Sequence, residues 1–137
     1  MAVTYSPIAT TTLTSNTTVT FSSIPGTYTD LVLITEATGT TNGAMDVRFN
    51  GDTGSNYSRT GLAGDGSSAS SYRNTGLAYG LIAAGVSDRA IAITHIMNYS
   101  NTTTYKTYLT RGDDASGTGA AVYLWRNTAA ITTIALT

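Results

Sequence analysis

Apolar and polar residues alternate along this chain with a period of two, the spacing that sends successive side chains to opposite faces of a β-strand. In RAIAITHIMNY, Ile91, Ile93, His95, Met97 and Tyr99 share one face, and Ala92, Thr94, Ile96 and Asn98 share the other. Both faces are partly apolar, which predicts a central strand. TYKTYLTRG sets Tyr105, Thr107 and Leu109 against Lys106, Tyr108 and Thr110. AAVYLWRN sets Val122 and Leu124 against Tyr123 and Trp125, and ITTIALT places Ile134 and Leu136 on one side. Upstream, the same rhythm predicts strands over Ser6–Leu13, Thr17–Phe21, Asp30–Ala37, Ala44–Asn50, Tyr57–Leu62 and Tyr72–Ile82. No segment sustains helical apolar spacing. GLAYGLIAAGVSD comes nearest, and Gly76, Gly80 and Gly85 make a helix there costly.

Turn residues punctuate these runs. Pro25-Gly26 marks a turn, and Asn50-Gly51 predicts a tight hairpin because both residues tolerate positive φ. NYSNTTTY and GDDASGTG read as short hairpin loops, and GLAGDGSSASS as a long flexible one. Many short strands separated by polar turns predict one all-β domain over residues 1–137. Its expected form is an antiparallel two-sheet β-sandwich, jelly-roll-like, with about eight to ten strands.

Composition narrows the role. Only 11% of the residues are charged and the net charge is −1, with Lys106 the one lysine. A protein that grips a phosphate backbone needs many cations, so nucleic acid is excluded as an expected partner, and so is a membrane surface held through basic residues. Threonine makes up about a fifth of the chain, yet 41% hydrophobic residues and nine tyrosines argue for a packed fold over disorder. The chain has no cysteine, hence no disulfide and no thiolate metal site. MAVTYSPIATTTL has neither a basic n-region nor an apolar h-region, so no secretion signal is expected, and no apolar run is long enough to insert in a membrane.

No catalytic set emerges, and the expectation is a protein that is not an enzyme and takes no cofactor. His95 is the one histidine; between Ile93 and Met97 it faces the interior or an interface, a structural place. Asn50, Asp52 and Asn56 in RFNGDTGSNYS partly imitate a calcium loop, but Glu36 is the only glutamate and no acid closes the loop, so turn chemistry is the reading. Arg111-Gly112-Asp113 spells an integrin-type tripeptide, and with Asp114 it reads as hairpin-turn material. Four glycosylation sequons, at Asn16, Asn56, Asn98 and Asn101, follow from the abundance of threonine and serine. Tyr105, Tyr108, Tyr123 and Trp125 fall on neighbouring hairpin strands, where rings pack in a core, line a subunit contact or stack on a glycan.

VTFSSIPGTYTDLVLI (19–34), RFNGDTGSNYS (48–58), HIMNYSNTTTYKTYLTR and WRNTAAITTIAL together resemble a family of small tailed-bacteriophage virion proteins, met as decoration, spike or tail-fibre-like modules. The resemblance covers most of the chain. It implies a β-sandwich on the particle surface, made in the host cytoplasm, homo-oligomeric with a trimer favoured, and bound to the major capsid protein or other virion proteins. It carries no catalytic residues. That the chain starts at Met1 favours a separate capsid decoration, or cement, subunit. The alternative expectation is a tail-fibre or spike module that binds a host surface glycan, through the aromatic strands and the loops Gly64–Ser71 and Arg111–Thr118.

Overall fold

The computed structural model describes residues 5–15, 17–38, 43–86, 89–114 and 117–137. The described residues are all β, in ten strands: β1 (Val19–Phe21), β2 (Leu31–Thr38), β3 (Gly43–Phe49), β4 (Tyr57–Gly64), β5 (Ala69–Leu77), β6 (Gly80–Val86), β7 (Arg89–Met97), β8 (Lys106–Asp114), β9 (Gly117–Trp125) and β10 (Ile134–Leu136). They form a four-stranded sheet of order β1-β10-β3-β6 and a six-stranded sheet of order β2-β7-β8-β9-β4-β5, antiparallel at every pairing.

The pairings are nested. β1 meets β10, β2 meets β7, β3 meets β6 and β4 meets β5, as in one long hairpin rolled across two layers. That is the jelly-roll-like sandwich the alternation predicts, with the β8–β9 hairpin inserted between β7 and β4. The register follows the hydrophobic pattern because a slip of one residue would turn every apolar side chain outward.

The core lies between the sheets. Val47 and Phe49 of β3, Ile134 and Leu136 of β10 and Ile82 of β6 meet Ala92 and Ile96 of β7, Tyr108 of β8 and Tyr123 and Trp125 of β9. Phe49 stands edge-on to Tyr108 (centroids 5.3 Å apart) and to Trp125 (5.5 Å), while Tyr108 stacks flat on Tyr123 at 4.7 Å. These are the offset and edge geometries that ring quadrupoles favour. A Cβ added at Gly80 would overlap the Tyr108 hydroxyl, so only glycine lets β6 pass over that ring. Thr110 crosses the layers: its hydroxyl donates to the Ile82 carbonyl at 2.6 Å and accepts from the Thr94 hydroxyl at 3.0 Å. Lys106 is buried, its Nζ donating to the carbonyls of Thr104 (2.8 Å) and Thr128 (2.9 Å), and burial lowers its pKa.

Four local expectations change. Ser6–Leu13 forms no strand; the segment alternates, but it lies exposed and pairs with no sheet edge. Tyr72–Ile82 is two strands in different sheets, β5 and β6, parted after Gly76 at φ +69°. GLAGDGSSASS is no long loop: most of it extends β4 and β5, and the Asp65 carboxylate closes a tight turn by accepting the N–H groups of Ser67 (2.9 Å) and Ser68 (2.6 Å). Gly112, Asp113 and Asp114 lie within β8, while residues 115 and 116 of that connection fall outside the described residues.

Candidate functional site

The loop after β3 is built from its backbone outward. Asn50 and Gly51 both hold positive φ, +52° and +69°, and the Asp52 N–H donates to the Phe49 carbonyl at 3.0 Å. This is the mirror-image turn that Asn-Gly favours. It makes no hairpin, because β3 and β4 belong to different sheets; the turn carries the chain across the sandwich. Asn50 Oδ1 accepts from the N–H groups of Thr132 (2.9 Å) and Thr133 (3.1 Å), and its Nδ2 donates to the Ala130 carbonyl (2.7 Å). The Asp52 carboxylate accepts from the Trp125 indole N–H (2.7 Å), the Asn56 amide (2.9 Å) and the Gly54 N–H (2.8 Å). Burial pushes the Asp52 pKa up, but these three bonds outweigh it and hold the carboxyl below its ordinary value. The oxygens that a cation would need are engaged inside the fold. Among the described residues no cluster of three or more His, Asp or Glu side chains could hold a metal.

The sequence-selected residues separate. Tyr108, Tyr123 and Trp125 are wholly buried, so they serve the core and present no ring to a glycan or a neighbour. Tyr105 is 54% exposed and stands apart from them, just before β8. His95 points to the outer face of the six-stranded sheet, not to the interior; its Nε2 lies 3.1 Å from Asp30 Oδ2, while Asp30 Oδ1 accepts the Asn98 N–H at 2.6 Å. That pair fastens the end of β7 to the start of β2. Asn56 and Asn101 are spent on local bonds, the latter accepting the N–H groups of Thr103 and Thr104; Asn16 lies outside the described residues.

Two features were not singled out from the sequence. One is a cleft of about 470 Å³ at the end of the sandwich, where the inner face of the six-stranded sheet carries several small residues, among them Gly112, Gly119 and Ala121. Arg59 lies along it, its Nε donating to Asn74 Oδ1 (2.8 Å), one terminal nitrogen donating to the Tyr123 hydroxyl (3.2 Å), and its guanidinium 4.9 Å from the Tyr72 ring centre. Five N–H donors with two so engaged leave a fixed cation able to meet hydroxyls or an anion. Asp65 and Ser68 also line the cleft, so it draws on Gly64–Ser71, one of the two stretches expected to meet a glycan; Arg111 and Thr118 of the other border it from within β8 and β9. A sequence signal existed: a tight turn at Asp65–Ser68 pairs Arg59 with Asn74 and sets Tyr72 on the diagonal.

The other feature is the outer face of the six-stranded sheet. Val32, Ile34, Leu62, Ile91, Met97 and Val122 are all exposed there, joined by the half-buried Ile93, Leu109 and Leu124. Alternation made both faces of β7 apolar, and the fold leaves one of them uncovered. Comparison of the chain with protein-family models, with curated proteins and with solved structures returns no match.

Proposed function

We propose that this chain is a bacteriophage virion structural protein, a capsid decoration subunit on the particle surface. The observation that carries the reading is the apolar outer face of a complete sandwich. The core is already closed between the two sheets, and the exposed apolar side chains of the outer face are not part of it. Contiguous exposed apolar surface on a soluble fold marks a contact with another macromolecule. Jelly-roll sandwiches recur in viral capsid and lectin domains, a fold-level analogy that supports the same reading. A shell offers many equivalent docking sites, and occupying them stabilises the particle by mass action. Cryo-electron microscopy of the native particle, with mass spectrometry of its proteins, tests this: the chain is expected at regular positions on the shell, and its absence from purified particles overturns the reading.

A second reading, a glycan-binding module of a tail fibre or spike, is favoured by the cleft. Arg59, immobilised by Asn74, Tyr123 and Tyr72, beside the hydroxyl-rich Asp65–Ser68 turn is suited to a polar, hydroxylated ligand. A glycan array with the purified chain, repeated with Arg59→Ala, tests it: loss of a positive signal in the variant supports it, and no signal from the native chain removes it.

A further inference from the structure

We propose that two copies of this chain pack face to face through the outer surfaces of their six-stranded sheets, related by a two-fold axis. The inference rests on the reading of that face as an assembly surface and names what covers it.

Register sets the face in rows. Ile34, Ile93, Arg111, Ala120 and Leu62 lie side by side across β2, β7, β8, β9 and β4, and Val32, His95, Leu109, Val122 and Thr60 form the next row. Ile34 is 69% exposed, Leu62 66%, Ile91 51% and Val122 48%. With Val32 and Met97 these side chains leave on the order of 600 Å² of apolar surface, against about 800 Å² per partner in a standard specific interface. The half-buried residues between them and the polar rim make up the difference. A second copy fits this surface for three reasons. Sheets pack on sheets through interdigitating side chains of their flat faces. A two-fold operator needs one self-complementary patch, and apolar side chains, which require no matched hydrogen-bond partner, meet their own image there. The charges on the face also carry both signs, Arg111 beside Asp113, so it does not repel its image as a face of one sign would.

The test is sedimentation velocity on the full chain, with circular dichroism as the check on folding. The native chain is expected to sediment as a dimer at micromolar concentration. Ile34→Lys and Leu62→Lys, on opposite sides of the face, are each expected to weaken the pair at least about thirtyfold, as at an interface hot spot, while Ile34→Val leaves it unchanged. Should a lysine variant lose its β spectrum, Ile34→Thr keeps strand propensity and is expected to weaken the pair in a folded chain. A native chain that stays monomeric at roughly 100 μM, or an oligomer that none of these variants weakens, overturns the proposal. A monomer in solution that docks this face on the shell in particle density ends the pairing but not the virion reading. A dimer that is absent from purified particles does the reverse.

Discussion

The Trp125 indole N–H donates to Asp52 Oδ2 at 2.7 Å, tying the last residue of β9 in the six-stranded sheet to the turn that leaves β3 in the four-stranded one. Trp125 is wholly buried in the intact fold, and removing the carboxylate takes away the acceptor of its indole N–H. Asp52→Ala is therefore expected to cost about 1–3 kcal/mol in urea unfolding, the price of an unpaired buried donor. Asp52→Asn, which retains an acceptor oxygen, is expected to cost less. Beside it, Gly51→Val forces a β-branched residue to φ +69° and is expected to destabilise by at least about 2 kcal/mol, although open space surrounds that position.

The same carboxyl fixes an acid dependence. Its pKa in the fold lies below 3.8, so the unfolded chain takes up the proton first as pH falls. The contribution of Asp52 to stability is complete above its unfolded value and is lost as pH drops through the folded one. Urea midpoints measured from pH 6 downward are expected to fall less steeply in Asp52→Asn than in the native chain; parallel curves would refute the assignment.

Tyrosine sets the alkaline limit. Burial raises Tyr57 from 10.0 to about 12, with its hydroxyl oxygen accepting the Phe49 N–H at 2.9 Å, and burial raises Tyr108 and Tyr123 as well. A raised tyrosine pKa means that the fold holds the neutral form. Stability is therefore full below pH 10 and declines as the pH rises toward 12. Absorbance titration of the phenolates is expected to show Tyr57, Tyr108 and Tyr123 ionising last, in a cooperative phase that coincides with loss of the β spectrum.

Tyr108 and Gly80 form a second pair. The Tyr108 hydroxyl is buried with no hydrogen-bond partner and lies where a Gly80 side chain would stand. Tyr108→Phe deletes an unsatisfied group and keeps the ring stack on Tyr123, so thermal melts are expected to show unchanged or higher stability. Gly80→Ala is expected to lose at least about 2 kcal/mol by overpacking, and adding Tyr108→Phe to it is expected to recover part of that loss.

Thr110→Val tests the tie between layers. The substitution keeps shape but leaves the Ile82 carbonyl without the Thr110 donor and the Thr94 hydroxyl without its acceptor. A loss of about 2 kcal/mol is expected in denaturant unfolding, and Thr94→Val in the same background is expected to restore part of it.

Strand positions were legible where alternation had a turn residue at each end: Asp30–Ala37, Ala44–Asn50 and Tyr57–Leu62 overlap β2, β3 and β4 closely. Alternation also separated Tyr108, Tyr123 and Trp125 from their neighbours, but not inside from outside. His95 and Ile93 belong to the outer face because Ala92, Thr94 and Ile96 are buried against the core, on the side of the four-stranded sheet. The tight turn at Asp65–Ser68 was hidden by its composition: glycine and serine favour loops, so the whole stretch read as one, and only the pairing of β4 with β5 shows that most of it is strand. For the same reason the Arg59–Tyr72 contact, made by residues on two strands of that hairpin, escaped notice.

By itself the chain determined its class. Period-two patterning, abundant β-branched residues and Asn-Gly and Pro-Gly turns act locally, through backbone sterics and the pleat, and they leave two layered antiparallel sheets as the way to bury the apolar positions. Tertiary structure alone decided which strand lies beside which, that Asn50-Gly51 crosses between sheets instead of closing a hairpin, and which apolar face stays outside. Those outcomes depend on long-range pairing, β1 with β10 and β2 with β7, and on the six-stranded sheet having a partner for only one of its two faces. No local rule carries that information, because each strand of such a sheet offers two sides and the contacts that choose between them lie far along the chain.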